Sequence, residues 1–351
     1  MSSKEPLSAS SLKPPAIRVS PVDGSRPFWS VMIPTYNPRA DYLEETLHSV
    51  LQQAPGPEQM QIEVVDDGSL DNTASEVIRR VGAGRVAFHA EPQNQGLANT
   101  WNRCVERACG NWVHILHQDD LVLPGFYERL REGAEQSDAG AIFCRYAVAN
   151  SKGHWVGISE LHRELPGLLD DWHANITAQQ LIQCPAIAVR RLVYEQLGGF
   201  LPRLHYTPDW EMWQRVASQF SFWFEPSILA CYRTHEDSAT SRLRLDAADV
   251  REVREVIDLT MAYHSPARSR MLARKARAYY ALFAMENSRQ LLVAGHSEAA
   301  WKQIREAFCL SQNWSVFWQF LSFLILRTRI AGAWLKRRFF AERLKFKIFN
   351  S

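Results

Sequence analysis

Two adjacent carboxylates, Asp119 and Asp120, follow the apolar run Trp112–Leu116 in "NWVHILHQDDLVLPGF", residues 111–126. At a strand end such a pair repels itself and costs desolvation if it is buried unpaired. A divalent cation would keep both ionised side by side. Hard oxygen ligands suit Mg²⁺ or Mn²⁺, which take few protein carboxylates and share phosphate oxygens. A solvated turn or a helix cap before Pro124 is the plainer alternative. A second pair, Asp66 and Asp67, leaves another apolar run in "VVDDGS". A carboxylate there can accept the imide N–H of a pyrimidine base, and Tyr36 in "IPTYN" is placed to stack on it. Equally, Asp67, Gly68 and Ser69 can make a turn and cap the next helix. Both readings can hold, one Asp for each.

The elements that must position these groups follow from periodicity. "FWSVMIP", "QIEVVDDGS", "RVAFHAE", "WVHIL" and "GAIFCRYAV" read as strands. Helical spacing fills the gaps: "YLEETLHSVLQQ", "TASEVIRRV", "GLANTWNRCVERA" and "PGFYERLREGAEQ". Four βα units in succession imply an α/β fold with a parallel sheet and helices on its faces. Ligands in such sheets bind beyond the carboxyl ends of the strands. Three polar clusters lie at those ends: Thr35-Tyr36-Asn37, Asp66–Ser69 and Gln118–Asp120.

Composition sets the outer bounds. The 351 residues are 46% hydrophobic and 22% charged, ordinary for a globular chain with a sizeable core. A formal net charge of +2 gives no sign of a nucleic-acid partner. The six cysteines show neither CxxC nor zinc spacing, and read as reduced thiols of a cytoplasmic protein. Residues 1–27, rich in Ser, Pro and Lys, are expected to be a disordered leader. Residues 245–312 resemble a helical hairpin with Gly295 in its turn. The tail, 313–351, has an aromatic, apolar stretch over 314–326. After it, residues 327–351 hold eight Lys or Arg against one Glu. No apolar run reaches the roughly 18 residues of a spanning helix. Aromatic and basic together suit a peripheral contact at the cytoplasmic face of a membrane. A helix packed on the protein, with a solvated basic end, is the alternative.

"IPTYN", "VVDDGS", "NQGL", "HQDDLVLPGF", "PDWEMWQRV" and "YRTHEDS" stand in the order and spacing of glycosyltransferase family 2, and the resemblance covers about residues 28–240. It implies a GT-A-type, Rossmann-like, mostly parallel sheet with flanking helices, followed by a C-terminal helical extension. The donor half would be about 28–150 and the acceptor half about 151–240. The implied activity is metal-dependent, inverting transfer from a nucleotide-sugar donor, a UDP- or dTDP-sugar, to a glycan or lipid-linked acceptor. Cell-surface polysaccharide or glycolipid synthesis is the implied setting.

Roles follow by position. Pro34, Thr35, Tyr36 and Asp66 would hold base and ribose, with Asp67 sharing that role or capping the turn. Asn94 and Gly96 would lie near sugar or diphosphate. Asp119 would bind the metal, Mn²⁺ or Mg²⁺, and His235 the metal or diphosphate. Asp120 would ligate through water or contact the sugar. Asp209 would be the general base, with Glu211 the second choice. His117 replaces the first Asp of the family's DXD, and either contacts ribose or shapes the loop. Where the family often has "ARN", this chain has Thr100-Trp101-Asn102, and helical spacing turns Arg103 away from that arginine's place. Arg190 and Arg191 either meet an anionic lipid diphosphate or lie on the surface. Arg233 would pair with phosphate or with a loop carboxylate. A nucleotidyltransferase would want a glycine-rich loop after the first strand, and "PTYNPRAD" has none. A non-catalytic adaptor would not need Asp66, Asp119, Asp209 and His235 intact.

Overall fold

The computed structural model describes residues 13–18, 25–235 and 239–328. The chain divides into two compact units, Met1–Glu236 and Asp237–Ser351.

The first unit is built on one mixed sheet. Its order is β3-β2-β1-β4-β9-β6-β10-β5, with β7 on β6 and β8 on β10. The strands are β1 (Trp29–Thr35), β2 (Met60–Asp66), β3 (Ala87–Ala90), β4 (Trp112–Ile115), β5 (Leu121–Val122), β6 (Ala141–Ala149), β7 (Trp155–Ile158), β8 (Gly167–Leu168), β9 (Ile187–Arg190) and β10 (Phe222–Arg233). β1 pairs in parallel with β2 and β4, β2 with β3, and β6 with β10. Between β4 and β6 lies β9, antiparallel to both. The expected βα succession therefore holds through β4, and a short strand from further along the chain splits the sheet there. All of β1 is buried, as a strand covered on both faces should be. Leu43, Leu47 and Val50 of α1 (Ala40–Leu51) join Val31, Ile33, Ile62 and Val64 in its core.

The remaining helices of this unit are α2 (Thr73–Val81), α3 (Leu97–Arg107), α4 (Phe126–Gln136), α5 (Trp172–Ala178), α6 (Arg191–Leu197) and α7 (Pro208–Ala217). Part of the expected leader is ordered: Gly199 donates its N–H to the Pro15 carbonyl at 2.8 Å, and Ile17 is buried. Residues 1–12 and 19–24 of that leader lie outside the described residues.

The second unit is helical: α8 (Ala239–Leu245), α9 (Ala248–Thr260), α10 (Pro266–Val293), α11 (Ser297–Leu310) and a further helix over 314–328. Buried alanines, among them Ala276, Ala281, Ala284, Ala300 and Ala307, let α10 and α11 pack closely. Gly295, in the turn between them, has φ +90°. The helix over 314–328 lays Phe320 and Phe323 on Trp301, with ring centroids 6.2 and 5.4 Å apart. Its other face leaves Trp314, Phe317, Trp318 and Ile325 exposed. Among the described residues no helix is long and apolar enough to cross a membrane. Residues 329–351, most of the basic tail, lie outside the described residues.

Candidate active site

The ends of β1, β2 and β4 fall together because the register puts Thr35 beside Asp66, and β4 beside β1. Side chains then tie the three polar clusters into one rim. Gln118 accepts the Tyr36 N–H at 2.8 Å. Ser69 accepts the Asn37 N–H, and Asn37 accepts the Leu70 N–H, each at 2.8 Å.

Within this rim the two carboxylates of "DDGS" have distinct partners. Asp66 accepts the Thr35 hydroxyl at 3.0 Å, the Ser69 hydroxyl at 2.5 Å and the Ser69 N–H at 2.8 Å. Asp67 accepts the N–H groups of Gln95 and Gly96, at 2.7 and 3.0 Å. Asp67 thus closes on the turn that carries Asn94 and Gly96, which favours capping of that turn over an open base contact. Pro34 and Thr35 are buried, whereas Tyr36 is 44% exposed and presents its ring at the rim.

Gly68 is what lets the 93–96 turn approach. Its φ is +70°, and a Cβ there would sit 2.6 Å from the Gln93 carbonyl carbon and 2.8 Å from the Asn94 nitrogen. Neither backbone atom can rotate away. Gly68→Ala should cost about 1–3 kcal/mol in backbone strain alone. It should also displace the turn that Asp67 holds. Urea denaturation and donor titration check this, and a variant equal to wild type in both would contradict the packing described.

The acidic pair stands deeper. His117, Asp119 and Asp120 each offer a ligand atom, all within 4.8 Å of one another. His235 Nε2 lies 2.8 Å from Asp119 Oδ2, so the two sequence-predicted metal ligands are brought together. Asp120 is fully buried. Its Oδ1 accepts the Arg233 N–H at 2.8 Å, tying the loop to β10. Its other oxygen lies 3.3 Å from His117 Nδ1. Burial pushes the Asp120 carboxyl up to about 6, against the pull of His117. Burial works against a charged His117, but the Asp120 carboxylate outweighs it and raises that imidazole. His117 also stacks on Trp101, centroids 5.1 Å apart, so it shapes the loop. Asp120 Oδ2 and His117 Nε2 are buried without a hydrogen-bond partner among the described residues. The donor set, two carboxylates and an imidazole whose ligand atoms lie within 4.8 Å of one another, fits a divalent cation.

Asp209 opens α7, one residue after Pro208. Its Oδ1 accepts the Trp210 N–H at 2.8 Å and its Oδ2 accepts the Gln180 amide at 2.7 Å. Burial pushes this carboxyl up to about 6, while the Trp210 N–H, His117 and Gln180 pull it back down. Gln180 had no signal in the sequence.

Several sequence candidates fall away. Glu211 is fully buried and holds Arg215 through two bonds of 2.8–2.9 Å, a structural pair rather than a base. Arg191 is buried and bonds to the Ala108 carbonyl and Glu195. Arg190 lies over the Trp112 ring, 5.1 Å from its centroid. Arg103 pairs with Glu91 and Glu106. Arg233 pairs with Glu45 on α1 and covers the Tyr42 ring at 4.1 Å, rather than facing a phosphate or a loop carboxylate.

Comparison with known proteins bears on the family and the fold. The model of "Glycosyl transferase family 2" matches residues 30–198. An uncharacterised protein of Mycobacterium tuberculosis is 27% identical over 253 residues, 69% of this chain and 78% of that protein. The crystal structure of S. aureus TarS 1-349 in complex with UDP-GlcNAc has a TM-score of 0.61 at 14% identity, covering 88% of this chain and 92% of that one. The mannosyltransferase PcManGT from Pyrobaculum calidifontis, in complex with GDP-Man and Mn²⁺, has a TM-score of 0.53 at 18% identity, covering 90% and 85%. Residues 30–198 thus form a glycosyl transferase family 2 domain, with the GT-A fold.

Proposed function

We propose that this chain transfers a sugar, with inversion, from a nucleoside-diphosphate donor to an acceptor hydroxyl, with Asp209 as the base. One observation carries the reading: the ends of β1, β2 and β4 are tied into one rim, and Asp119, next to Gln118 of that rim, meets His235 at 2.8 Å. Tyr36 at the rim offers a face for the base, and Asp66 and Thr35 hold that rim in shape. The turn at Asn94 and Gly96 borders the place for sugar and diphosphate. Asp119 and His235, with His117 and Asp120 behind them, would hold a divalent metal that neutralises the charge building on the leaving diphosphate. We take the ion to be Mn²⁺ or Mg²⁺, and the relative solved with Mn²⁺ supports that choice. We take the donor to be a UDP- or dTDP-sugar, and the relative solved with UDP-GlcNAc supports that class. The acceptor is a glycan or lipid-linked hydroxyl. Asp209 takes its proton as it attacks the anomeric carbon. Screening UDP-, dTDP- and GDP-sugars for Mn²⁺-dependent hydrolysis tests this. A chain that hydrolyses none of them and binds none with metal present would refute it.

We place the enzyme in the cytoplasm, at the cytoplasmic membrane face. The support is the exposed aromatic face of the helix over 314–328, with the basic sequence after it. Each basic residue near an anionic surface contributes about 1 kcal/mol, screened by salt. Full-length protein should therefore co-sediment with anionic vesicles, less at high salt but not abolished. Truncation before Asn313 would uncover Trp301 and Phe308, which pack on Phe320. The sharper test is Trp314→Ser with Trp318→Ser, both exposed. That double variant should release the vesicles and keep donor hydrolysis. Unchanged sedimentation, or none in the wild type, would remove the membrane role.

A further inference from the structure

Asp209 can serve as a base only if its carboxylate is aimed and ionised, and the fold supplies a group for both. α5 and α7 are fastened together by the Trp210 indole N–H, which donates to the Ile176 carbonyl at 2.6 Å. Ile176, Ala178 and Trp210 are all buried. After Ala178 the backbone turns extended at Gln179, with φ −163° and ψ 154°. It is anchored again at Ile182, which is fully buried. Gln180 hangs between these two anchors, and its side chain meets Asp209 Oδ2 at 2.7 Å. An ionised carboxylate only accepts, so the amide must face it nitrogen first. With Trp210 N–H on Oδ1, each carboxylate oxygen carries one donor. Each keeps a lone pair for an incoming hydroxyl.

We infer that Gln180 is a positioning residue of the transfer reaction, its amide N–H holding the Asp209 carboxylate in the orientation that receives the acceptor's proton. This rests on Asp209 being the base. A donor to the charged form of a carboxylate favours that form, and burial opposes it. Asp209 is pushed up to about 6 even with Gln180 in place. Removing the N–H should raise it further. A residue that only filled space between α5 and α7 would have no such effect.

The test uses Gln180→Met, which keeps the volume and loses the donor, and Gln180→Glu, which is nearly isosteric. The readout is hydrolysis of whichever UDP-, dTDP- or GDP-sugar the wild type turns over fastest, with water as the acceptor, from pH 5 to 9. Melting temperature and donor affinity with Mn²⁺ are followed alongside. Gln180→Met should keep both, and shift the acid limb of the rate profile up by about one pH unit. Its deficit should be about tenfold below pH 6 and smaller at pH 8. Gln180→Glu should shift the limb further, because two carboxylates at that distance cannot both ionise easily. If either variant has the wild-type limb, or loses rate by the same factor at every pH, while Asp209→Asn is inactive, Gln180 is merely structural and the inference falls. If Asp209→Asn retains activity, the assignment of the base has failed first, and Gln180 goes with it.

Discussion

Asp209→Asn should bind donor as the wild type does and lose about 10²–10⁴ in the rate of sugar transfer. The amide keeps the shape of the carboxylate and can still accept the Trp210 N–H. On the other side Gln180 can turn its amide and accept where it had donated. Fold and donor site should survive, because the hydrogen bonds of Asp209 run to Trp210 and Gln180 rather than to the strand-end rim. What is lost is a group able to take a proton. The same carboxyl sets the acid limb of the wild-type profile. Its pKa is raised to about 6, so the ionised base is depleted as pH falls through that value. The rate should therefore fall below about pH 6 and be level above pH 7. Transfer within tenfold of wild type would sink the assignment. Glu211 would not inherit the role. Buried against Arg215, it joins α7 to the 197–199 turn, whose carbonyls the same guanidinium binds. Breaking a buried pair of this kind costs about 3–5 kcal/mol. Glu211→Ala should fail in a melting curve before it fails in a rate assay.

The strand ends were legible in the sequence for a physical reason. An apolar run that stops in Asp, Asn, Gly or Ser marks the edge of the core, and in a parallel sheet those edges share one side. Three such stops, after β1, β2 and β4, are brought to one rim. What periodicity could not supply was pairing between distant segments. Ile187–Arg190 is only four residues long, yet it divides β4 from β6. Charge alone also could not place Arg191 and Glu211, whose partners one helical turn away neutralise them inside the fold. Gln180 carries neither charge nor a distinctive spacing. Its meaning comes from α5 lying against α7, which no local pattern encodes. The acidic pair was found, but its division of labour needed burial. Asp119 and Asp120 are equivalent as letters, and only depth separates the one beside His235 from the one closed on Arg233.

That separation sets the second large effect. Asp119→Asn should abolish Mn²⁺-dependent donor binding, while binding of donor without metal, however weak, is unchanged. Asp119 lies at the mouth of the cluster, its side chain 21% exposed, with His235 Nε2 2.8 Å from Oδ2. An amide oxygen there keeps the geometry but removes the charge that a hard cation needs. His117 and Asp120 only back the site, since Asp120 also bonds to the Arg233 N–H and faces His117. Groups that merely orient a metal's ligands cost about 10–100-fold in metal affinity when removed. Loss of a ligand should exceed that, and leave the donor's diphosphate charge uncompensated. His235→Ala should weaken metal binding in the same direction, because it removes the partner that aims Asp119. Calorimetry of donor with and without Mn²⁺ reads both variants directly. Wild-type affinity in Asp119→Asn with Mn²⁺ present would mean that the metal, if one acts, sits elsewhere. A loss equal with and without Mn²⁺ would instead mean that Asp119 shapes the loop and holds no ion.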